Sequence, residues 1–325
     1  MTASHLLVLA TGGTIAGRAG SATARSYLPG QIDIAELLAR VAPLVPGCTL
    51  RGRQLAAIGS EDITTALWRL LWEGCTAAMD DPLVDGVIIT HGTDTAEETA
   101  MLLDLTLPTT KPVVLVGAMR PSDAVGSDGL RNFVNAVQVA GDAAAAGRGV
   151  LLVMGDKVLA ARDARKARTS SLDAFRGYPR DGVALVTPHS LDWFGAPWAV
   201  DRPARYGFPE RFPRVPVLYA HAQMDAAAVT ALARDAAGVV LAGVGEGNAP
   251  QDVRRCLAGL ARAGVVVVRS SRVDEGAVER DERDEADGFV AARTLGPAKA
   301  RIVLQVLLAS GVRDPAGVQR AFDAC

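Results

Sequence analysis

Short runs of β-branched and aliphatic residues, each long enough for one buried strand, alternate along the first half of the chain with stretches whose apolar positions recur at helical spacing. Residues 5–10, 85–90, 112–116 and 150–154 are predicted strands. Between them, Ile34, Leu37, Leu38 and Val41 mark one face of a helix. A second helix, capped by Ser60, is expected to run toward Met79, and a third to span 130–146 and stop at Gly147. This βαβα rhythm predicts an α/β fold whose larger N-terminal domain, residues 1–190, is a doubly wound parallel sheet. From 188 to 216 the periodicity dissolves into prolines, aromatics and arginines, so residues 191–214 read as an ordered linker. Alternation then resumes, with strands expected at 217–220, 238–243 and 265–269 and helices at 225–236 and 250–263. Residues 215–325 are therefore a smaller C-terminal α/β domain.

Composition narrows the class of partner. A chain of 325 residues with 49% hydrophobic and 22% charged positions is long enough for two folded domains and unlike a disordered or fibrous sequence. The formal net charge of -2 leaves no electrostatic excess to draw nucleic acid or an anionic membrane, so a small molecule is the expected partner. Cys48, Cys75, Cys256 and Cys325 form no CxxC pair and have no histidine at zinc spacing, so no metal or disulfide framework is expected. The first apolar run lacks a preceding Lys or Arg and passes directly into Gly12 and Gly13, which reads as a strand and not as a signal peptide. Cytoplasm is the expected compartment, with an exported form already trimmed of its signal as the alternative.

In open α/β sheets ligands sit beyond the carboxyl ends of strands. Three predicted strands end in small residues beside a hydroxyl or an exposed carbonyl: Thr11-Gly12-Gly13-Thr14, His91-Gly92-Thr93-Asp94-Thr95 and Gly117-Ala118-Met119-Arg120. None follows the spacing of a phosphate-binding glycine loop. Thr14 or Thr93 could attack a carbonyl if a base removed its proton, although a threonine after glycine also serves as a helix cap. Backbone N–H groups at a following helix start would suit an oxyanion. Residues 20–30, small and polar around Tyr27, have the composition of a lid, or of an exposed loop with one packed tyrosine. Lys111, Lys157, Lys166 and Lys299 are the only lysines among 34 basic residues, so Lys166 within an arginine-rich run stands out as a side chain able to release a proton. The alternative is chance placement in a solvated basic segment.

TGGTIAG (11–17), the Tyr27 segment, IGSED (58–62), ITHGTDTAEETA (89–100), VGAMRPSDAVGSDG (116–129), the Lys166 segment, GEGN (245–248), VVVVRSSR (265–272) and GFVAARTL (288–295) together resemble the bacterial L-asparaginase family, the asparaginase/glutaminase group. The likeness runs in order along nearly the whole chain, and TGGTIAG and HGTDT are specific to that group. It implies a cofactor-free, metal-free hydrolysis of L-asparagine to L-aspartate and ammonia through a threonine acyl-enzyme, with minor L-glutaminase activity as a secondary expectation. Thr14 would be the nucleophile, oriented by Tyr27, while Thr93, Asp94 and Lys166 form a second constellation that moves protons. The family has been read with either threonine as attacker. A carboxylate beside Lys166 favours its ammonium form, whereas accepting a proton requires the amine, so burial must oppose the carboxylate.

The resemblance also places Gly59, Ser60, Glu61, Thr93 and Asp94 around the substrate, with the Ala118 carbonyl meeting the leaving amide. Many members carry Gln where this chain has Glu61, and a carboxylate there favours the substrate ammonium, so selectivity is expected to shift. A neighbouring protomer's second domain would complete the pocket with Asn248 and one acid among Glu279, Glu282 and Glu285, of which Glu282 is preferred. The implied assembly is a homotetramer of intimate dimers. Competing readings are the amidase subunit of a tRNA-dependent amidotransferase and a non-catalytic amino-acid sensor.

Overall fold

Strands that are apolar on both faces need cover on both faces, and parallel strands joined through helices supply it. The computed structural model describes residues 4–21, 23, 27–197 and 205–325, and separates into two compact units, residues 1–205 and 206–325. Among the described residues the main sheet of the first unit has eight strands, in the order Leu191–Trp193, Ala184–Val186, Lys157–Ala160, Val150–Met154, Val113–Val116, Gly86–Thr90, Ser4–Gly12, Cys48–Ile58. From Val150–Met154 to Cys48–Ile58 the pairing is parallel, and the remaining strands add antiparallel. The strands Gly86–Thr90, Val113–Val116 and Val150–Met154 are buried throughout, as their unbroken apolar runs require. Helix Ala96–Thr106 is covered on almost every side, whereas Gly129–Ala140 buries one face with Phe133, Ala136, Val137 and Ala140.

Chain order makes the first strand the pivot of the fold. From Ser4–Gly12 the chain winds to Cys48–Ile58 on one side, then crosses to Gly86–Thr90 on the other. Winding thus reverses about Ser4–Gly12, and a reversal of this kind opens a crevice at the carboxyl ends of the strands.

Four local departures from the pattern-based reading have physical causes. Cys48–Ile58 is a strand that the periodicity does not announce, because it lies at the sheet edge with Arg51, Arg53 and Gln54 exposed. Ser60 does not cap the following helix: Thr65–Asp80 starts later, where the Thr64 hydroxyl accepts the Leu67 N–H at 3.2 Å. The helix expected over 130–146 ends at Ala140, because Asp142 accepts the Ala144 N–H at 2.8 Å and starts a separate 3-10 turn, Ala143–Ala145. Leu191–Trp193, at the start of the stretch read as linker, pairs into the sheet. Residues 198–204 of that stretch, and 22 and 24–26 of the segment read as a lid, lie outside the described residues.

The second unit repeats the same logic at smaller scale. Its parallel sheet has, among the described residues, four strands in the order Val217–Tyr219, Gly238–Gly243, Val266–Ser271, Phe289–Ala291. Helices Gln251–Arg262 and Pro297–Ala309 pack on the strands, with Val239, Leu241, Val253, Leu257, Val267 and Phe289 in one core. The architecture is a larger N-terminal and a smaller C-terminal α/β unit.

Candidate active site

Loops following Ser4–Gly12, Cys48–Ile58 and Gly86–Thr90 meet where the winding reverses. Two glycines permit the approach. Gly12 and Gly13 adopt φ of 108° and 79°, and a Cβ on either would stand 2.5 Å from a backbone nitrogen, that of Ile58 or of Gly92 respectively. The Gly13 N–H closes the turn on the Ile58 carbonyl at 2.8 Å. Thr14 then opens a short 3-10 turn, Thr14–Ala16, with its side chain buried at 5% exposure. Its hydroxyl meets the Tyr27 hydroxyl at 2.6 Å and caps no helix. Tyr27 belongs to a two-residue strand, Tyr27–Leu28, paired with Arg18–Ala19.

Across the crevice, Lys166 closes the short strand Ala164–Lys166 and donates from Nζ to Thr93 Oγ1 at 2.9 Å. The same ammonium forms a close ion pair with the Asp94 carboxylate. Its side chain is only 16% exposed, so the arginine-rich run does not hold it in solvent. In this arrangement Lys166 donates to both neighbours and must pass a proton away before it can take one. The fully exposed-run alternative for this residue is therefore excluded by its geometry.

Ser60 fastens the third loop to the Thr93 loop. Its Oγ accepts the N–H groups of Asp94 and Thr95 at 3.1 and 3.4 Å, and Thr95 Oγ1 donates to the Ser60 carbonyl at 2.8 Å. Those N–H groups at the start of helix Ala96–Thr106, expected to face an oxyanion, are turned toward Ser60. With its oxygen accepting, the Ser60 hydroxyl keeps its hydrogen to donate, which suits a carboxylate. A cavity of about 270 Å³ is lined by both threonines, Tyr27, Asp94 and Gly59-Ser60-Glu61. This lies below the ~300–1,000 Å³ of sites for drug-sized ligands and suits an amino acid. Its hydroxyls, and the carboxylates of Glu61 and Asp94, offer complements to both ends of a zwitterion.

Ala118 is fully buried beside this group and does not line the cavity; the Cβ position of Gly117 is 3.0 Å from Thr93 Cγ2. Asn248 and Glu282 belong to the second unit, both exposed, Asn248 bridged to Val244 and Glu282 at the start of helix Glu282–Asp287. Of the three candidate acids, Glu279 pairs closely with Arg293 and Glu285 lies 3.7 Å from Arg280. Sequence reasoning missed the support beneath the Thr93 loop. His91 Nδ1 lies 2.7 Å from the Gly92 carbonyl, which can only accept, so the proton is on Nδ1 and Nε2 accepts from Thr99 Oγ1 at 2.9 Å. Trp68 Nε1 donates to the same Thr99 oxygen at 2.8 Å. Burial pushes the His91 imidazole down to about 4, so it is neutral at ordinary pH. Its place in HGTDT was the visible signal.

Comparisons with known proteins extend along nearly the whole chain. A family model described as asparaginase, N-terminal, matches residues 5–198, and one described as glutaminase/asparaginase C-terminal domain matches 214–322. The chain is 41% identical to L-asparaginase 2 of Escherichia coli, over 98% of its own length and 92% of that protein. It is 38% identical to a probable periplasmic L-asparaginase of Haemophilus influenzae (98% and 92%) and 37% identical to a glutaminase-asparaginase of Pseudomonas aeruginosa (98% and 90%). The crystal structure of a probable cytoplasmic L-asparaginase from Campylobacter jejuni superposes with a TM-score of 0.91 at 34% identity, covering 98% of this chain and 99% of that one. With both family models matched in order and relatives aligned nearly end to end, this chain belongs to the asparaginase/glutaminase family.

Proposed function

We propose that this protein hydrolyses the side-chain amide of L-asparagine, giving L-aspartate and ammonia, with Thr14 as the nucleophile. The observation that carries this reading is the pairing of a buried threonine hydroxyl with a phenol at 2.6 Å, in the same small cavity as Thr93 and Asp94, with Lys166 behind them. A neutral hydroxyl is a poor nucleophile, and Tyr27 Oη, within hydrogen-bond reach, takes its proton as the new bond forms while its own phenolic proton passes on toward the amide nitrogen.

Thr14 Oγ adds to the amide carbon, and the proton it loses is relayed to the amide nitrogen. The C–N bond then breaks and ammonia departs, leaving an ester on Thr14. Water, activated near Thr93 and Lys166, adds to that ester, the C–O bond to Thr14 breaks, and aspartate leaves with the hydroxyl restored. Ser60 donates to the substrate α-carboxylate while Glu61 and Asp94 receive its ammonium, which together select an α-amino acid. Pocket chemistry discriminates one methylene by only ~1–3 kcal/mol, so slower hydrolysis of L-glutamine accompanies the main activity. The relative named glutaminase-asparaginase supports that secondary activity. Asn248 and Glu282 complete the pocket of an adjacent protomer in a homotetramer of intimate dimers; Glu282 is favoured because Glu279 and Glu285 are engaged within their own unit. For the compartment, the four free cysteines favour cytoplasm, with an exported form, as in the relative named periplasmic, as the alternative.

Ammonia release from asparagine by the purified chain tests the activity, and the Thr14→Ala variant tests the nucleophile. The variant is expected to fold and to lose at least about a thousandfold in kcat. Wild-type turnover by Thr14→Ala would sink the assignment of the nucleophile, and a purified protein that binds asparagine without releasing ammonia would support a sensor instead.

A further inference from the structure

Residues 121–123 do not line the cavity, yet they grip the ribbon that carries its phenol. The Asp123 carboxylate accepts the Ala19 N–H, at 2.9 and 3.2 Å from its two oxygens. Ala19 is the residue paired directly with Tyr27 in that ribbon. Ser122 holds the chain two residues earlier: its N–H and its Oγ both donate to the Gly17 carbonyl, at 3.1 and 3.0 Å. The gripping loop is itself braced. Pro121 is buried, the Ala124 N–H closes a turn on the Pro121 carbonyl at 3.1 Å, and Arg120 Nη1 donates to the Gly126 carbonyl at 3.1 Å.

Gly17 joins this grip to the reacting pair. Its N–H donates to the Thr14 carbonyl at 2.9 Å, and a Cβ on it would stand 2.8 Å from Tyr27 Cδ2, so the phenol ring lies directly on its Cα. With φ -90° and ψ 152° its backbone suits any residue, and glycine is needed there for space. The ring therefore rests on a residue held by Ser122, and its strand pairs with a residue held by Asp123. A ribbon of two residues per strand has little stability of its own, so its place depends on what it is tied to. Arg18 adds a pair with Glu36 at 2.6 Å, but both side chains are about half exposed, and an ion pair in that setting contributes little. A backbone N–H held by a carboxylate is a charge-assisted bond, the stronger kind of tie.

Resting on the function proposed above, we propose that Asp123 is a positioning residue for the reaction: by holding the Ala19 N–H it keeps the Tyr27 phenol on the Thr14 hydroxyl. It touches neither the cavity nor the nucleophile. Its carboxylate lowers the fraction of molecules in which the phenol has left Thr14, and turnover follows the fraction in which the pair is intact.

The test uses the whole chain with asparagine as substrate. In Asp123→Ala, kcat is expected to fall by about 5- to 10-fold, the scale of one exposed charge-assisted hydrogen bond. Asp123→Asn, whose side-chain carbonyl still accepts the Ala19 N–H, should keep at least about half of the wild-type rate. In a Tyr27→Phe background, Asp123→Ala should change kcat by less than about twofold, because the hydroxyl it positions is gone. Hydrogen exchange in peptides covering residues 27 and 28, which Asp123 does not touch, should quicken in Asp123→Ala. Wild-type kcat in Asp123→Ala, an equal fall in both backgrounds, or unchanged exchange at residues 27 and 28 would overturn the inference while leaving the proposed function standing. A wild-type protein inert toward asparagine would overturn the function, and the inference with it.

Discussion

His91 lies under the catalytic loop as a one-proton spacer between the Gly92 carbonyl and the Thr99 hydroxyl. Because burial lowers its folded-state value from 6.5 to about 4, the unfolded chain binds this proton more readily over that interval. Stability from this group is complete above about pH 6.5, falls as pH drops toward 4, and then levels off, a total of about 3 kcal/mol. Urea unfolding across this range should show the slope in the wild type and a flatter one in His91→Gln, where nothing titrates. The same loop shows what single residues disclose. Thr14 and Thr93 were readable as candidates because each follows a glycine at a strand end. Lys166 stands out in the sequence as a lone lysine in an arginine-rich run, but its partner does not: the ion pair with Asp94 joins positions 72 apart, and no local pattern encodes it.

Among the elements, the turn at Gly12-Gly13 decides how closely three loops can approach. Replacing Gly13 by alanine forces a Cβ into a backbone with φ of 79° and a contact of 2.5 Å with Gly92 N. A loss of at least about 2 kcal/mol in unfolding free energy is expected, with activity reduced further as the Thr93 loop moves. Gly47→Ala, whose added carbon meets nothing within 4 Å, is the control and should leave both unchanged. Thermal melting and ammonia assays on the two variants check this. Strands buried on both faces announced themselves through unbroken Val, Ile and Leu runs. The edge strand Cys48–Ile58 did not, because one side faces solvent and its arginines break the apolar pattern. Without that strand the periodicity alone reads Ser60 as a helix cap, where its oxygen accepts the N–H groups of Asp94 and Thr95, and only the resemblance brings the third loop to the crevice.

For the whole molecule, the second unit presents Asn248 and Glu282 on a braced surface. Arg269 donates to the Glu246 carbonyl at 3.1 Å and to the Glu279 carbonyl at 2.8 Å, and pairs closely with the buried Asp284, which Arg254 also meets at 3.1 Å. One guanidinium thus ties the loop of Asn248 to the segment leading into Glu282. If these residues serve a neighbouring protomer, inactive Thr14→Ala and inactive Asn248→Ala chains should complement each other. Co-refolded in equal amounts, they should regain about a quarter of wild-type activity, since half the dimers are mixed and each mixed dimer has one intact site. No recovery in assemblies shown to be mixed would place both residues in one chain's own site.

Tyr27 and Thr14 are anchored very differently: the threonine follows a strand paired on both sides in the eight-stranded sheet, while its phenol partner hangs from a ribbon of two residues per strand. Such a ribbon opens at far lower free energy than the sheet beneath it. Ammonia release is therefore expected to fall on warming before the fold does, and to return on cooling, which activity and circular dichroism followed along one temperature ramp check.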